Sequence, residues 1–100
     1  MLNVYKHIND GVLSILLEGR LDTTTSPILE KELNASLADV SELVLDLEQL
    51  TYISSSGLRI LLYAQKTMTA RDGKLTVKNV CDNIMDVLEV TGFADILTIE

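Results

Sequence analysis

Three consecutive serines followed by a glycine, Ser54-Ser55-Ser56-Gly57, are the residues of this chain best suited to chemistry. They lie between an apolar lead-in and an apolar segment that is long enough for a helix. A hydroxyl at such a junction could accept a bond from the free N–H groups of a helix start. It could also attack a substrate if a base activated it, or carry a phosphate, because a helix N-terminus favours negative charge. The segment therefore has three candidate roles, as a cap, a nucleophile and a phosphorylation site.

A nucleophilic serine needs a base, and the only histidine of the chain is His7. Ser55, His7 and Asp22 would together supply the residue types of a Ser-His-Asp triad. However, the serines do not lie in the Gly-x-Ser-x-Gly turn that strains and exposes a nucleophile. His7 also occupies the polar register of an alternating strand, which is typical of a solvated side chain. We therefore expect a protein that is not an enzyme.

Sites for cofactors and metals find little support in the sequence. Neither Gly-x-x-x-x-Gly-Lys-Ser/Thr nor Gly-x-Gly-x-x-Gly occurs, so the chain has no recognisable nucleotide-binding loop. Asp82 and Asp86 lie one helical turn apart. Acids at this spacing are typical of a solvated helix face, and hard cations need several converging oxygens. We expect neither a cofactor nor a bound metal.

The composition describes one small, aliphatic and acidic domain over residues 1–100. Hydrophobic residues make up 47% of the chain, enough for a real core, whereas aromatic residues make up only 4%. The formal net charge of −7 has the wrong sign for a nucleic-acid partner. The single cysteine, Cys81, excludes an internal disulfide. Neither a signal peptide nor a membrane-spanning run is recognisable, so we expect a cytoplasmic domain without membrane insertion.

The apolar periodicity predicts alternating strands and helices. Asn9-Asp10-Gly11 is a tight-turn sequence between two apolar runs, which indicates an antiparallel hairpin. Thr25 or Ser26 can cap the helix that follows. The almost wholly apolar run at residues 43–47 is typical of an interior strand covered on both faces. In chain order the predicted elements are strands at residues 2–8 and 12–18, a helix with the apolar stripe Leu29, Leu33, Leu37 and Val40, a strand at 43–47, a helix opened by the serines, a strand at 74–78, a helix that stops at Gly92, and a strand at 95–99.

This order, β-β-α-β-α-β-α-β, predicts an α/β fold with a mixed sheet of about five strands and helices packed against it. In open sheets of this kind, functional residues collect beyond the C-terminal ends of strands, in the loops that lead into helices. The serine segment follows a strand and opens a helix, with Leu58 and Leu61 toward the core and Arg59 outward. The segment therefore lies where functional residues are expected. From the residues alone, a purely structural helix cap and a cap whose hydroxyl can be phosphorylated explain the serines equally well.

The serine segment and its surroundings resemble the signature of STAS domains, and more narrowly that of bacterial anti-sigma factor antagonists. The resemblance runs from the first strand to the last without a long insertion. Its motifs are fairly specific together, although each alone is weak. They are Ser54-Ser55-Ser56-Gly57-Leu58 with the preceding Asp46-Leu47 and Tyr52-Ile53, the turn Gly19-Arg20-Leu21-Asp22 before the first helix, and the ending Val87-Leu88-Glu89-Val90-Thr91-Gly92-Phe93.

The resemblance implies a partner-switching mechanism. In that family the unphosphorylated antagonist binds an anti-sigma factor that is also a serine kinase, and a sigma factor is thereby released. The kinase uses ATP to phosphorylate a serine at the start of the second helix, the phosphorylated antagonist lets go, and a separate serine phosphatase resets it. Aligned on the Gly-Leu pair after the serines, the acceptor is Ser55. The expected contact surface comprises Asp22, Thr24, Ser54, Ser56, Gly57 and Arg59.

The chain departs from the family pattern at Ser54, because many relatives carry an aspartate immediately before the acceptor. That carboxylate could orient the hydroxyl or meet the kinase's nucleotide, and its replacement leaves Ser54 and Ser56 as alternative acceptors. Asp22 matches the other acidic residue of the family's site, although a cap for the turn before the first helix explains it equally well. A second interpretation is a STAS module that is never phosphorylated and docks through the same helix in a lipid-transport or signalling complex.

Overall fold

The computed structural model describes residues 1–100, and its first two strands form the expected hairpin. Strand β1 covers Leu2–Asn9, and β2 covers Val12–Leu21, which extends beyond the predicted run. Asp10 and Gly11 form the turn with φ of 51° and 79°. Two successive residues with positive φ give the two-residue turn that matches the twist of a hairpin, and Asp-Gly is among the sequences that tolerate it best.

None of the helices has the length and apolar character that a membrane span requires.

Three helix-to-strand connections follow the hairpin. The predicted order of strands and longer helices is confirmed, and the structure adds a 3-10 turn and a short fourth helix. The elements are α1 at Ser26–Ser36, the 3-10 turn at Leu37–Asp39, β3 at Glu42–Ile53, α2 at Ser55–Ala70, β4 at Lys74–Lys78, α3 at Asp82–Val90, α4 at Phe93–Ile96 and β5 at Thr98–Ile99.

The five strands form one mixed sheet in the order β1-β2-β3-β4-β5. β1 and β2 are antiparallel, whereas β2 with β3, β3 with β4 and β4 with β5 are parallel. Each helix therefore lies in the crossover between neighbouring parallel strands, which cannot be joined by a tight turn. The α/β class and the mixed five-stranded sheet that the sequence predicts are confirmed.

The apolar core lies against one face of this sheet. Leu13, Leu43 and Leu75 are in register across three strands and are almost fully buried. Val44 and Asp46, which point to the opposite face of β3, are only half-buried. The prediction that this strand is covered on both faces is therefore wrong. Burial alternates along residues 43–47, but Val44 is apolar although it lies on the less buried face, so the sequence does not show this alternation.

The start of α1 is stabilised differently from the prediction. Thr25 is the residue before the helix, but its hydroxyl donates to the Arg20 carbonyl at 2.8 Å and does not cap the helix. Ser26 is the first helical residue, and its hydroxyl donates to the Asp22 carbonyl at 2.6 Å. The expectation that either side chain caps α1 is wrong, because both hydroxyls bond back to the preceding loop.

The chain end also differs from the predicted strand at residues 95–99. Gly92 adopts φ of 83°, a left-handed conformation that separates α3 from α4. The chain then makes one helical turn, closed by a bond from the Leu97 N–H to the Phe93 carbonyl at 2.9 Å. Both side chains pack into or against the core, and they lie one helical turn apart. Residues 95–96 are therefore helical, and only Thr98–Ile99 pairs with β4.

The parallel pairing of β2 and β3 brings two distant chain segments together at one edge of the sheet. Leu21 and Ile53, the last residues of these strands, are neighbours in the register. Directly beyond them, the Ser54 backbone N–H donates to the Leu21 carbonyl at 2.9 Å. The β2–α1 loop (residues 22–25) and the first turn of α2 therefore lie side by side.

Candidate functional site

The first of the three serines caps α2. Ser54 has an extended backbone, with φ of −98° and ψ of 175°, and its Oγ accepts a bond from the Gly57 N–H at 3.3 Å. This is the bond that an N-cap side chain provides, and it satisfies one of the free N–H groups of the helix start. The hydroxyl of the half-buried Ser54 is therefore engaged within the chain.

The other two serines differ from each other in what their hydroxyls contact. Ser56 Oγ lies 3.3 Å from Thr23 Oγ1, and this hydrogen bond links the first turn of α2 to the β2–α1 loop. Ser55 is the first residue of α2 and is exposed, and its hydroxyl makes no hydrogen bond within the chain. Three serines that are equivalent in sequence are thus a cap, a link and a free hydroxyl.

Gly57 allows the start of α2 to lie directly on the ends of the two strands. A Cβ at this position would lie 2.8 Å from Leu21 Cγ and 2.9 Å from Ile53 Cγ1, closer than carbon atoms can approach without displacement. Gly57 is buried, and it positions the helix through this close packing. The partner contact that the sequence predicts for Gly57 stays a prediction.

Asp22 organises the β2–α1 loop. Its Oδ1 accepts bonds from the hydroxyl of Thr24 at 2.8 Å and from the backbone N–H groups of Thr24 at 3.0 Å and Thr25 at 3.1 Å. The Thr24 hydroxyl contributes most to lowering the pKa of Asp22 below its ordinary value of 3.8; partial desolvation opposes this shift, and the other bonds reinforce it. The turn-capping role of Asp22 is therefore confirmed, and the hydroxyl of Thr24 is held inside the loop.

An Asp22→Asn variant should make the stability of the domain less sensitive to acid. Because the pKa of Asp22 is lowered on folding, its ionised form contributes stability above the unfolded pKa of 3.8, and this contribution is lost as the pH falls through the folded pKa. The urea midpoints of the wild type and the variant should differ at about pH 6, and the difference should shrink as the pH falls below 3.8 and through the folded pKa. A difference that stays constant over this range would contradict the assigned role.

Two arginines border the site, and only one of them has a partner in the chain. Arg20 is paired in register with Tyr52, with its guanidinium carbon 4.1 Å from the ring centroid and its Nε 3.8 Å from Asp22 Oδ2. Arg59 is exposed and forms no ion pair. It follows Ser55 by four residues, and residues at this spacing are neighbours on one helix face. Arg59, the arginine without an ion-pair partner, is therefore the one that lies beside Ser55.

Sequence reasoning missed three residues of the site: Thr23, which is bonded to Ser56, and Arg20 and Tyr52, which contact each other beside Asp22. Arg20 and Tyr52 both lie in the motif segments, and that is the only signal that could have drawn attention to them. Their contact depends on the register between β2 and β3, which is shifted twice, between Leu16 and Glu18 and between Gly19 and Arg20. Such shifts cannot be read from a pattern of residue types.

The residues of the hypothetical catalytic triad do not come together. His7 pairs with Ser14 near the turn of the hairpin, whereas Asp22 and Ser55 lie beyond the other end of β2. From Ser14 to Leu21 the strand advances by roughly 23 Å, at about 3.3 Å per residue. His7 therefore cannot act on Ser55.

No group of three or more metal-binding side chains converges anywhere in the structure, and Asp82 and Asp86 belong to no such group. No pocket is found on the surface.

A mixed five-stranded sheet whose central strand leads into a serine-capped helix defines an α/β domain with its candidate site on the first turn of that helix. The STAS domain family matches residues 3–100 of the chain. The protein belongs to this family, as the resemblance of its motifs implies.

Relatives of the chain are named as anti-sigma factor antagonists. BtrV of Bordetella bronchiseptica, named as a candidate antagonist of this kind, is 36% identical over 92 residues, which are 90% of this chain and 78% of BtrV. The anti-sigma-B factor antagonist of Staphylococcus aureus is 29% identical over 97 residues, which are 96% of this chain and 90% of the relative. The similarity therefore extends over most of both chains.

Solved structures of similar fold include further antagonists. An anti-sigma factor antagonist from Mycobacterium paratuberculosis aligns with a TM-score of 0.88 and 25% identity, over 99% of this chain and 85% of that one. SpoIIAA in its unphosphorylated form aligns with a TM-score of 0.78 and 17% identity, over 100% of this chain and 87% of that one. The phosphorylated form of Bacillus SpoIIAA aligns with a TM-score of 0.76 and 17% identity, over 100% of this chain and 91% of that one. At this identity, the likeness to SpoIIAA establishes the fold alone.

Proposed function

We propose that this protein is an anti-sigma factor antagonist that is switched by phosphorylation of Ser55. The observation that carries the proposal is the environment of the serines: Ser54 caps α2, Ser56 is bonded to Thr23, and Ser55 alone is exposed with a free hydroxyl. A kinase can reach this hydroxyl without breaking an internal hydrogen bond. The relatives named as anti-sigma factor antagonists support the class of partner.

The proposed contact surface consists of the β2–α1 loop and the first turn of α2. Asp22 and Thr24 hold the loop in shape, and the Ser56–Thr23 bond joins it to the helix. Arg59 offers an unpaired guanidinium, which suits an acidic group on the partner. In the unphosphorylated form this surface would bind an anti-sigma factor with serine kinase activity in the cytoplasm, and a sigma factor would be released.

Phosphate on Ser55 would change the charge of this surface and leave the fold intact. A phosphoserine carries about −1.5 to −2 charges at pH 7. Within the domain, the free N–H groups of the first helical turn and the nearby Arg59 favour that charge. A partner packed against the same hydroxyl would have to desolvate or repel it. The phosphorylated protein would therefore release its partner, and a serine phosphatase would restore binding.

Phosphorylation in vitro tests this proposal. The protein is incubated with ATP and each candidate serine-kinase anti-sigma factor, and the modified residue is located by mass spectrometry. We expect one phosphate per chain on Ser55. The Ser55→Ala variant should lose it, whereas Ser54→Ala and Ser56→Ala, which remove the two engaged hydroxyls, should still be phosphorylated.

Two results would overturn the proposal in different ways. Phosphate on Ser54 or Ser56 in the wild type would show that the acceptor is wrongly assigned within the triplet. Absence of phosphate with every candidate kinase, together with stable binding to a partner through α2, would instead support a docking module that is never phosphorylated.

A further inference from the structure

Strand β1 leaves one long edge of the sheet without a partner. The sheet order places β1 at one edge and β5 at the other, but β5 has only two residues whereas β1 has eight. β1 pairs with β2 without a register shift, so its outer edge is regular and free of bulges. A regular edge strand presents a row of unpaired N–H and C=O groups that another strand can join.

The hydrogen-bond pattern shows which backbone groups form this free edge. The pair Asn9 and Val12 closes the two-residue turn, and at the other end the Arg20 N–H donates to the Met1 carbonyl at 3.1 Å. Hydrogen-bonded pairs alternate along an antiparallel ladder, so the odd-numbered residues of β1 bond to β2. The backbone groups that point outward are those of Leu2, Val4, Lys6 and Ile8.

The usual devices that prevent an edge strand from pairing are weak in β1. It contains no proline, and its single lysine, Lys6, is held by Glu32 Oε2 at 2.6 Å and Ser36 Oγ at 3.2 Å. Tyr5 and Ile8 are 53% and 57% exposed. None of the 15 acidic residues of the chain lies in β1. The paired β1 strands of two copies would therefore bring no carboxylates of their own into the contact.

We propose that β1 is a self-association surface, on which a second copy of the chain pairs antiparallel to extend the sheet across a two-fold axis. Outward-facing residues must pair with outward-facing residues, so a two-fold axis must pass through a residue, and the axes at Tyr5 and at Lys6 give the longest overlap of the two strands. The axis at Lys6 sets two ammonium groups directly opposite each other, which is unfavourable. The axis at Tyr5 avoids this and pairs two aromatic side chains. Its pairs are Tyr5 with Tyr5, Val4 with Lys6, Asn3 with His7, and Leu2 with Ile8.

This register makes the edge self-complementary, which favours a second copy over an unrelated extended peptide. The pairing uses the whole strand from Leu2 to Ile8 and places no like charges directly opposite each other. β2 lies between β1 and β3, so the first turn of α2 stays accessible in both copies. Self-association at β1 is therefore compatible with the function proposed for Ser55 and does not rest on it.

Disulfide trapping tests both the dimer and its register. In a Cys81→Ser background, Tyr5→Cys should form a covalent dimer under mild oxidation. Position 5 is a non-hydrogen-bonded pair in this register, with Cα atoms about 4.5 Å apart, within the range of a disulfide. Asn3→Cys and His7→Cys are matched controls on the same face. Neither variant should form a disulfide between two copies of itself, because the two introduced cysteines would be roughly 13 Å apart along the strands. A mixture of the two variants should form one, because position 3 of one copy lies opposite position 7 of the other.

Sedimentation equilibrium provides a measurement that needs no cysteine. The wild type should approach twice the 11.0 kDa mass of the chain as its concentration rises. Lys6→Pro removes an outward N–H without breaking the ladder to β2 and should remain monomeric, whereas Lys6→Ala keeps the N–H and should still dimerise. A wild type that is monomeric throughout, or self-linking by the Asn3 and His7 variants as efficient as that by the Tyr5 variant, would overturn the proposal.

Discussion

A Ser55→Asp variant should bind a serine-kinase anti-sigma factor between about 30-fold and several thousand-fold more weakly than the wild type, because an uncompensated charge buried in a complex costs about 2–5 kcal/mol. Ser55 is exposed and free of internal bonds, so the new carboxylate would face the proposed partner directly. The isolated domain should not be destabilised, because the first turn of a helix favours a negative side chain. Titration calorimetry against one partner measures the effect.

Ser55→Asn is the matched control for this experiment. Asparagine has nearly the shape of aspartate without its charge, so it separates electrostatic repulsion from steric interference. We expect the asparagine variant to bind much more tightly than the aspartate variant, and urea unfolding should show that both are as stable as the wild type. Equal losses of affinity in the two variants would show that size controls binding at this position, which would contradict a switch based on charge.

A Gly19→Ala variant should lower the free energy of unfolding by about 2–4 kcal/mol, since it combines backbone strain with a steric clash. Gly19 has φ of 108°, and a Cβ there would lie 2.2 Å from the carbonyl oxygen of Met1. That oxygen accepts the bond from the Arg20 N–H, so moving it away would sacrifice a hydrogen bond of the ladder. The glycine of the Gly-Arg-Leu-Asp motif is therefore a requirement of the backbone, and chemical denaturation measures its contribution.

Gly92→Ala is the control that isolates the close approach at Gly19. Gly92 also has positive φ, at 83°, but a Cβ there would meet no atom within 4 Å. Its replacement should therefore cost only the backbone penalty, about 1–2 kcal/mol. If both alanine variants lose the same stability, contact with Met1 contributes nothing and the explanation for Gly19 is wrong.

Local patterns predicted those elements that are long or have a distinctive turn. Asp10 and Gly11 adopt the positive φ values that their types favour, and the strand at 74–78 appears with the predicted bounds. The same reasoning failed at β5, because a two-residue strand is too short to show a period and depends on the ladder that β4 offers. It also failed at Val44, an apolar residue that lies on the less buried face of β3 and is only half-buried.

The sequence by itself determined the family, the order of the elements and the presence of spare hydroxyls at a helix start. Alignment of its motif with the family pattern selected Ser55 as the acceptor, but the residue types alone could not distinguish Ser54, Ser55 and Ser56, because all three have the same chemistry and differ only in their surroundings. Tertiary structure decided among them: parallel pairing of β2 and β3 brings Thr23 to Ser56, and the direction of α2 makes Ser54 its cap. Ser55 alone stays exposed and unbonded, because a hydroxyl's environment depends on contacts between segments far apart in the chain.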